Sequence, residues 1–327
     1  MMNRGSQKYR NHENNDKFSD LPDSIILHIL SFLNTKDAFQ TCILSKRWYH
    51  LPKHLPTLIF NSDPFQYLDS FNNFVSQVFS LRDDSTALHT LEFTEEEDFV
   101  EPEILESLIE YAVSHNVQRL QTYITFHIQQ SPSCLFSSQT LTSLHLSVHP
   151  RIQPWKILFP NSLNLPALTT LTLSYFYFGA GDDGCAEPFS TFNKLNTLTV
   201  EYCQLLDAQV LYISSSTLVN LTIHGWGYFQ NYHDDRYECK FAAPSLCSFA
   251  FDGTMYRNLC QNHLCSIKHF YIDVVVDCHS SVEEESAVLL SWLQDLVNIK
   301  SLKVSSNTLQ VLFSCCFFSY LFIPKFC

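Results

Sequence analysis

The residues of this chain best able to do chemistry are its 12 cysteines and 14 histidines. A thiolate beside an imidazole can attack acyl groups, and paired sets of either can hold zinc. The spacing favours neither use. No Cys-x-x-Cys occurs, and the nearest approach to a metal cluster is Cys260, His263 and Cys265. That set lacks a fourth ligand and the tight pairing that zinc needs. Cys42, Cys203 and Cys247 lie in apolar runs, where a free thiol behaves as a small core residue. Gly-x-Ser-x-Gly and His-Glu-x-x-His are both missing. The stretch GAGDDG (179–184) has no phosphate-loop lysine and no helical pattern after it, so it reads as a loop that does not follow a strand. The expectation is a chain that binds and does not catalyse, with no metal and no cofactor.

Charge narrows what it binds. Lys and Arg number 20 against 33 Asp and Glu, for a formal net charge of −13. Affinity for a nucleic-acid backbone comes from clustered basic residues neutralising phosphates, so nucleic acid is excluded as the main partner. Residues 1–16 are polar and read as a disordered N-terminus without the apolar core of a secretory signal. That places the chain in the cytoplasm or nucleus, where thiols stay reduced.

These residues must be positioned by two kinds of element. In LPDSIILHILSFLNTKD, Ile25, Ile26, Ile29, Leu30 and Leu33 recur at helical spacing and form one stripe. Pro22 sits at the helix start, with Asp20 and Asp23 favouring its positive end. Thr35 can cap a second helix through Ala38, Phe39, Cys42 and Ile43. Ser45 can cap a third, limited by Pro52. Three short helices leave more apolar face than about 40 residues bury among themselves, so a partner or neighbouring structure must cover the remainder.

With the Leu21–Pro22 opening, the stripe, the Thr35–Lys36–Asp37 connector and the Leu44–Ser45–Lys46–Arg47–Trp48 run, this segment resembles the F-box of plant F-box proteins. The resemblance covers about 40 consecutive residues in order, departing where the family usually carries a second aromatic and this chain has Pro52. It implies a Skp-type adaptor as partner, and through it a cullin and a RING subunit. By the same resemblance, Leu21, Pro22, Ile25, Ile26, Ile29, Leu30, Leu33 and Trp48 bind that adaptor or support the face that does.

Further along, a hexamer of the form apolar-x-x-Leu-x-apolar returns nine times. Its central Leu or Phe falls at 91, 120, 144, 171, 198, 221, 249, 270 and 302, with spacings of 29, 24, 27, 27, 23, 28, 21 and 32. This is about the period of leucine-rich repeats. Each hexamer predicts a short strand stacked in parallel on the next, its alternate residues forming a shared core. Pro166, Pro188 and Pro244 suit the turns that precede strands. Helical spacing in 61–87, 103–113 and 284–297 predicts helices on the convex side. The pattern resembles plant F-box/leucine-rich-repeat proteins, including the FBD type, although no C-terminal FBD segment is visible.

The chain is therefore expected to be an α/β protein: a three-helix F-box at 17–60, a linking helix at 61–87, and a curved parallel solenoid at 88–306. The apolar run in 307–327 is too short to span a bilayer, which takes about 20 residues. It reads as a truncated or mis-spliced frame, with a weak tail anchor as the second reading. Residues alternating with the buried Leu face the inner curve, where solenoids hold ligands. There His145, Glu201, His224, Asp252, Tyr271 and Asp273 are the expected contacts to a target protein. Together these readings predict a non-catalytic substrate-recognition subunit of a cullin-RING ubiquitin ligase. The alternatives are a repeat-protein scaffold outside any ligase, and a truncated copy without function.

Overall fold

The computed structural model describes residues 20–94, 102–124, 134–148, 156–160, 163–226, 238–254, 266–275 and 282–316. The expectations for 1–16, for Cys260, His263 and Cys265 and for the end of the apolar tail lie outside these residues.

The chain opens with α1 (Asp23–Leu30) and α2 (Thr35–Gln40), followed by 3-10 turns at Thr41–Ile43 and Leu51–His54. The third helix expected after Ser45 does not form. Ser45 supports a single turn, with the Tyr49 amide donating to the Ser45 carbonyl at 3.1 Å. Pro52, which has no amide hydrogen, falls in the next 3-10 turn. The cap of α2 also differs from expectation. Asn34 accepts the Asp37 amide at 2.8 Å, whereas Thr35 is buried and accepts the Ile59 amide at 2.8 Å. Thr35 thus ties α2 to the first strand. Arg47 donates to Asp23 and to the Leu21 carbonyl, pinning the 46–50 turn back to the start of α1.

Next come β1 (Thr57–Asn61), α3 (Leu68–Leu81), β2 (Thr90–Thr94), α4 (Pro102–Ser114), β3 (Arg119–Ile124) and β4 (Ser143–Val148). The middle of the chain holds β5 (Leu158–Phe159), β6 (Thr170–Ser174), β7 (Tyr177–Gly179), β8 (Cys185–Ala186), β9 (Thr197–Glu201) and β10 (Gln204–Leu206). It continues with β11 (Val210–Ser214), β12 (Asn220–Trp226), β13 (Glu238–Ala242), β14 (Ser248–Gly253) and β15 (His269–Val274). The last elements are α5 (Val282–Gln294), β16 (Ser301–Val304) and α6 (Ser306–Cys316).

All nine expected strands form, and they join β1 in a ten-stranded parallel sheet ordered β1-β2-β3-β4-β6-β9-β12-β14-β15-β16. The repeat is visible in the register. Leu58, Leu91, Leu120, Leu144, Leu171, Leu198, Leu221, Phe249, Phe270 and Leu302 pair strand to strand as one column. Every member is buried except Leu302 on the edge strand, which is 40% exposed. No single repeat can bury this column, so each strand is held by its neighbours.

Helices cover the convex side near the ends of the sheet, at α3, α4 and α5, where the periodicity predicted them. Between them the helices give way to two small parallel sheets, β10-β7-β5 and β13-β11-β8. Phe159, Phe176, Phe178 and Phe189 fill the layer between these and the main sheet, with ring centroids 5.5 to 6.4 Å apart. GAGDDG begins at the last residue of β7, so it does follow a strand. It runs into β8 and not into a helix, leaving no helix N-terminus for a phosphate.

Candidate functional site

Two surfaces are built by this fold. The first is on the N-terminal helices. Ile26, Leu30 and Ala38 are buried and belong to one continuous core with Leu51, Leu55 and Leu58. Leu21 and Trp48 are partly buried against that core. The same helical period that points Ile26 and Leu30 inward turns Pro22, Ile25, Ile29 and Leu33 outward, and all four are exposed. Sequence reasoning missed three larger neighbours. Phe32 is 73% exposed, Ile43 89% and Leu44 65%. They sit where α1 and the 3-10 turn after α2 end; Ile43 was expected on the stripe of a longer α2, but that helix stops at Gln40 and the turn leaves Ile43 outside. Together with Ile25, Ile29 and Leu33 they make six exposed large apolar residues on this helical unit.

The second surface is the inner face of the main sheet. Strand alternation buries the Leu and Phe column and leaves the residues between them facing out, as in the buried–accessible alternation of β9. Four of the six expected contacts fall on consecutive strands in one row. Glu201 pairs in register with His224, and Asp252 with Asp273. His224 Nδ1 meets an Asp252 carboxylate oxygen, which closes the row between β12 and β14. Ser174 donates to Glu201 Oε2 at 2.8 Å, and Ser305 to Asp273 Oδ1 at 2.5 Å. Tyr271 lies on the adjoining row of β15 and is 40% exposed. Its hydroxyl pKa is raised by partial desolvation and by the charges of Asp273 and Asp252. His145 lies apart, on β4, with Thr172 and Thr199 between it and the later strands. Desolvation lowers its pKa, and the charge of Glu201 works against that shift.

Two residues of this surface were not foreseen. Tyr175 and Tyr202 follow the last residues of β6 and β9 with φ of 66° and 51°. Left-handed backbone costs an L-residue roughly 1–2 kcal/mol. The corresponding corners of the next two repeats are Gly225 (φ 64°) and Gly253 (φ 148°). The signal was present as a residue recurring four positions after the central apolar residue. It carries no hydrophobic period and so did not stand out.

Of the three thiols read as core residues, Cys203 is buried whereas Cys42 and Cys247 are half-buried. Cys203 and Cys239 are buried, and burial pushes the Cys203 thiol up to about 12 and that of Cys239 higher still. Neither is a thiolate at neutral pH, so neither is a nucleophile. Among the described residues no group of His, Cys, Asp and Glu could hold a metal ion. No helix among them is long and apolar enough to cross a membrane.

A helical unit with exposed apolar residues, continuous with a parallel-strand repeat array, defines a helix-led leucine-rich-repeat solenoid. The comparisons with known proteins agree with that class. The F-box domain family model matches residues 18–60. F-box/LRR-repeat protein At4g14096 of Arabidopsis thaliana is 29% identical over 92% of this chain and 64% of its own length. Putative F-box/LRR-repeat protein At3g59160 is 24% identical over 92% of the chain and 73% of its length. Putative F-box/FBD/LRR-repeat protein At3g59240 is 26% identical over 92% of the chain and 60% of its length, both again from Arabidopsis thaliana. The chain thus spans roughly two thirds of the length of these relatives. Residues 18–60 thus match the F-box domain, and over most of its length the chain is similar to plant F-box/leucine-rich-repeat proteins.

Proposed function

We propose that this chain is a non-catalytic substrate-recognition subunit of a cullin-RING ubiquitin ligase, acting in the cytoplasm or nucleus. Its helical unit would dock a Skp-type adaptor and its inner sheet face would hold the target. The observation that carries the reading is the division of the α1 stripe. Ile26 and Leu30 are spent on the chain's own core, while Ile25, Ile29, Phe32, Leu33, Ile43 and Leu44 remain outside it. Each such side chain contributes about 1.5–3 kcal/mol when fully covered, so a partner seated there gains several kcal/mol from this face alone. Catalysis is then positional. Holding target and ubiquitin-charged enzyme on one scaffold raises the effective concentration of target lysines.

The test is adaptor capture by the full chain. Ile25→Asp with Ile29→Asp places two charges in the docking face without entering the core, and is expected to weaken capture about 100-fold or more. Circular dichroism should show an unchanged melting temperature. Wild-type chain that captures no Skp-type adaptor, or a double variant that captures it undiminished, removes the ligase reading and leaves a repeat scaffold.

A further inference from the structure

The column of Leu and Phe in the main sheet is buried at every strand except β16. There Leu302 is 40% exposed, and Val297, Leu309 and Phe313 from the same stretch of chain are exposed too. Among the described residues β16 pairs with β15 alone. An edge of this kind offers a row of backbone donors and acceptors to any further strand.

The chain carries a segment of the matching pattern. Residues 318–323, outside the described residues, read Phe-Ser-Tyr-Leu-Phe-Ile. This is the repeat hexamer, with Phe318, Leu321 and Ile323 at its apolar positions. Leu321 follows Leu302 by 19 positions, just short of the earlier spacings, and the shortening has a visible cause. Ser305 alone separates β16 from α6, whereas residues 95–101 separate β2 from α4. Pro324 comes directly after the hexamer and has no amide hydrogen with which to extend a ladder.

The placement of α6 brings this segment to the open edge. Thr308 in its first turn is buried against the end of β15, where the Val274 amide donates to Thr308 Oγ1 at 2.7 Å. Val311 belongs to the core, so the helix lies along the convex side, as α5 does before β16. The 11 residues of α6 rise about 16 Å. The four residues of β16 rise about 13 Å. Cys316 therefore returns to the level at which β16 starts, with Phe317 the one residue between it and the hexamer.

We propose that residues 318–323 form the next strand of the main sheet, parallel to β16 and in register with it. Leu321 then lies beside Leu302, Phe318 beside Ile299 and Ile323 beside Val304, while Tyr320 and Phe322 face the inner curve. The apolar run thereby covers the column at Leu302, in place of the misread frame or tail anchor that its composition suggests. The proposal is independent of the adaptor reading.

The test is hydrogen exchange read by mass spectrometry on the full chain. In wild type the amides of 320–323 are expected to be protected, and β16 with them, although both still exchange before the inner strands β9 and β12. Leu321→Asp puts a charge into the column and should speed exchange of 320–323 and of β16 at least about tenfold. Phe322→Asp, at an outward position of the same hexamer, should leave both close to wild type. Unchanged protection of β9 and β12 shows that each variant is folded. Exchange of 320–323 in wild type at the rate of an unstructured peptide, or equal effects of the two variants, would overturn the proposal. So would protection of β16 that rises with protein concentration, which assigns the edge to a second copy. Protection of 320–323 that appears only with phosphatidylcholine vesicles would overturn it in favour of the anchor.

Discussion

His145 is half-buried on β4, and desolvation lowers its pKa below the ordinary histidine value. The unfolded chain, with that residue solvated, therefore binds more protons than the folded one at pH values between the two pKa values. Stability then rises with pH across this window and falls on acidification, starting near the unfolded value of about 6.5. Replacing His145 with Asn should flatten the acid side of the curve of melting temperature against pH. A variant that loses stability on acidification as steeply as wild type would show that the effect comes from elsewhere. At this scale the inner-face residues were legible from the sequence because strand alternation alone assigns each a side. Tyr175 and Tyr202 were not, because a left-handed corner depends on where the chain goes next, and a tyrosine does not announce a backbone that glycine adopts more easily.

The joint between helices and sheet is held by single polar contacts as well as by packing. Thr35 is buried at the start of α2, and its Oγ1 is the acceptor for the Ile59 amide inside β1. Thr35→Val keeps the shape and removes the acceptor, leaving a part-buried amide without its partner. The expected loss is about 1–3 kcal/mol in urea unfolding; an unchanged midpoint would show that the strand finds another acceptor. The sequence suggested Thr35 as a cap, since Thr, Asn and Ser all cap helices, and only the three-dimensional position of β1 decides between Asn34 and Thr35. The helices α3, α4 and α5 were readable because they are 13 or 14 residues long, enough for a 3.6-residue period to show. The small convex strands β5, β7, β8 and β10 have two or three residues each, too few to display alternation.

Across the whole molecule, stability is passed from strand to strand along the main sheet. Inner strands such as β9 and β12 are paired on both sides, while among the described residues β16 is paired only with β15, and its Leu302 is 40% exposed. Native-state hydrogen exchange should therefore open β16 well before β9 and β12, since local opening costs least where few contacts must break. Equal protection along the sheet would mean that the array unfolds as a single unit. The repeat period revealed nine strands but not the tenth. β1 carries the same hexamer, with Leu55, Leu58 and Phe60 at the repeat's apolar positions, yet it falls inside the stretch read as F-box.

That overlap sets a rule for building chimaeras. The F-box match ends at Phe60, one residue short of the end of β1 (Thr57–Asn61), a full strand paired with β2. A graft spliced at the nominal domain end would cut through a strand and strip the first repeat of its neighbour. Module exchange between such proteins has to be joined in the turn that follows, carrying β1 along with the helices. Because helices and sheet share β1, the orientation of an adaptor docked as proposed would follow from this joint, and which target lysines come within reach would depend on geometry as well as on affinity.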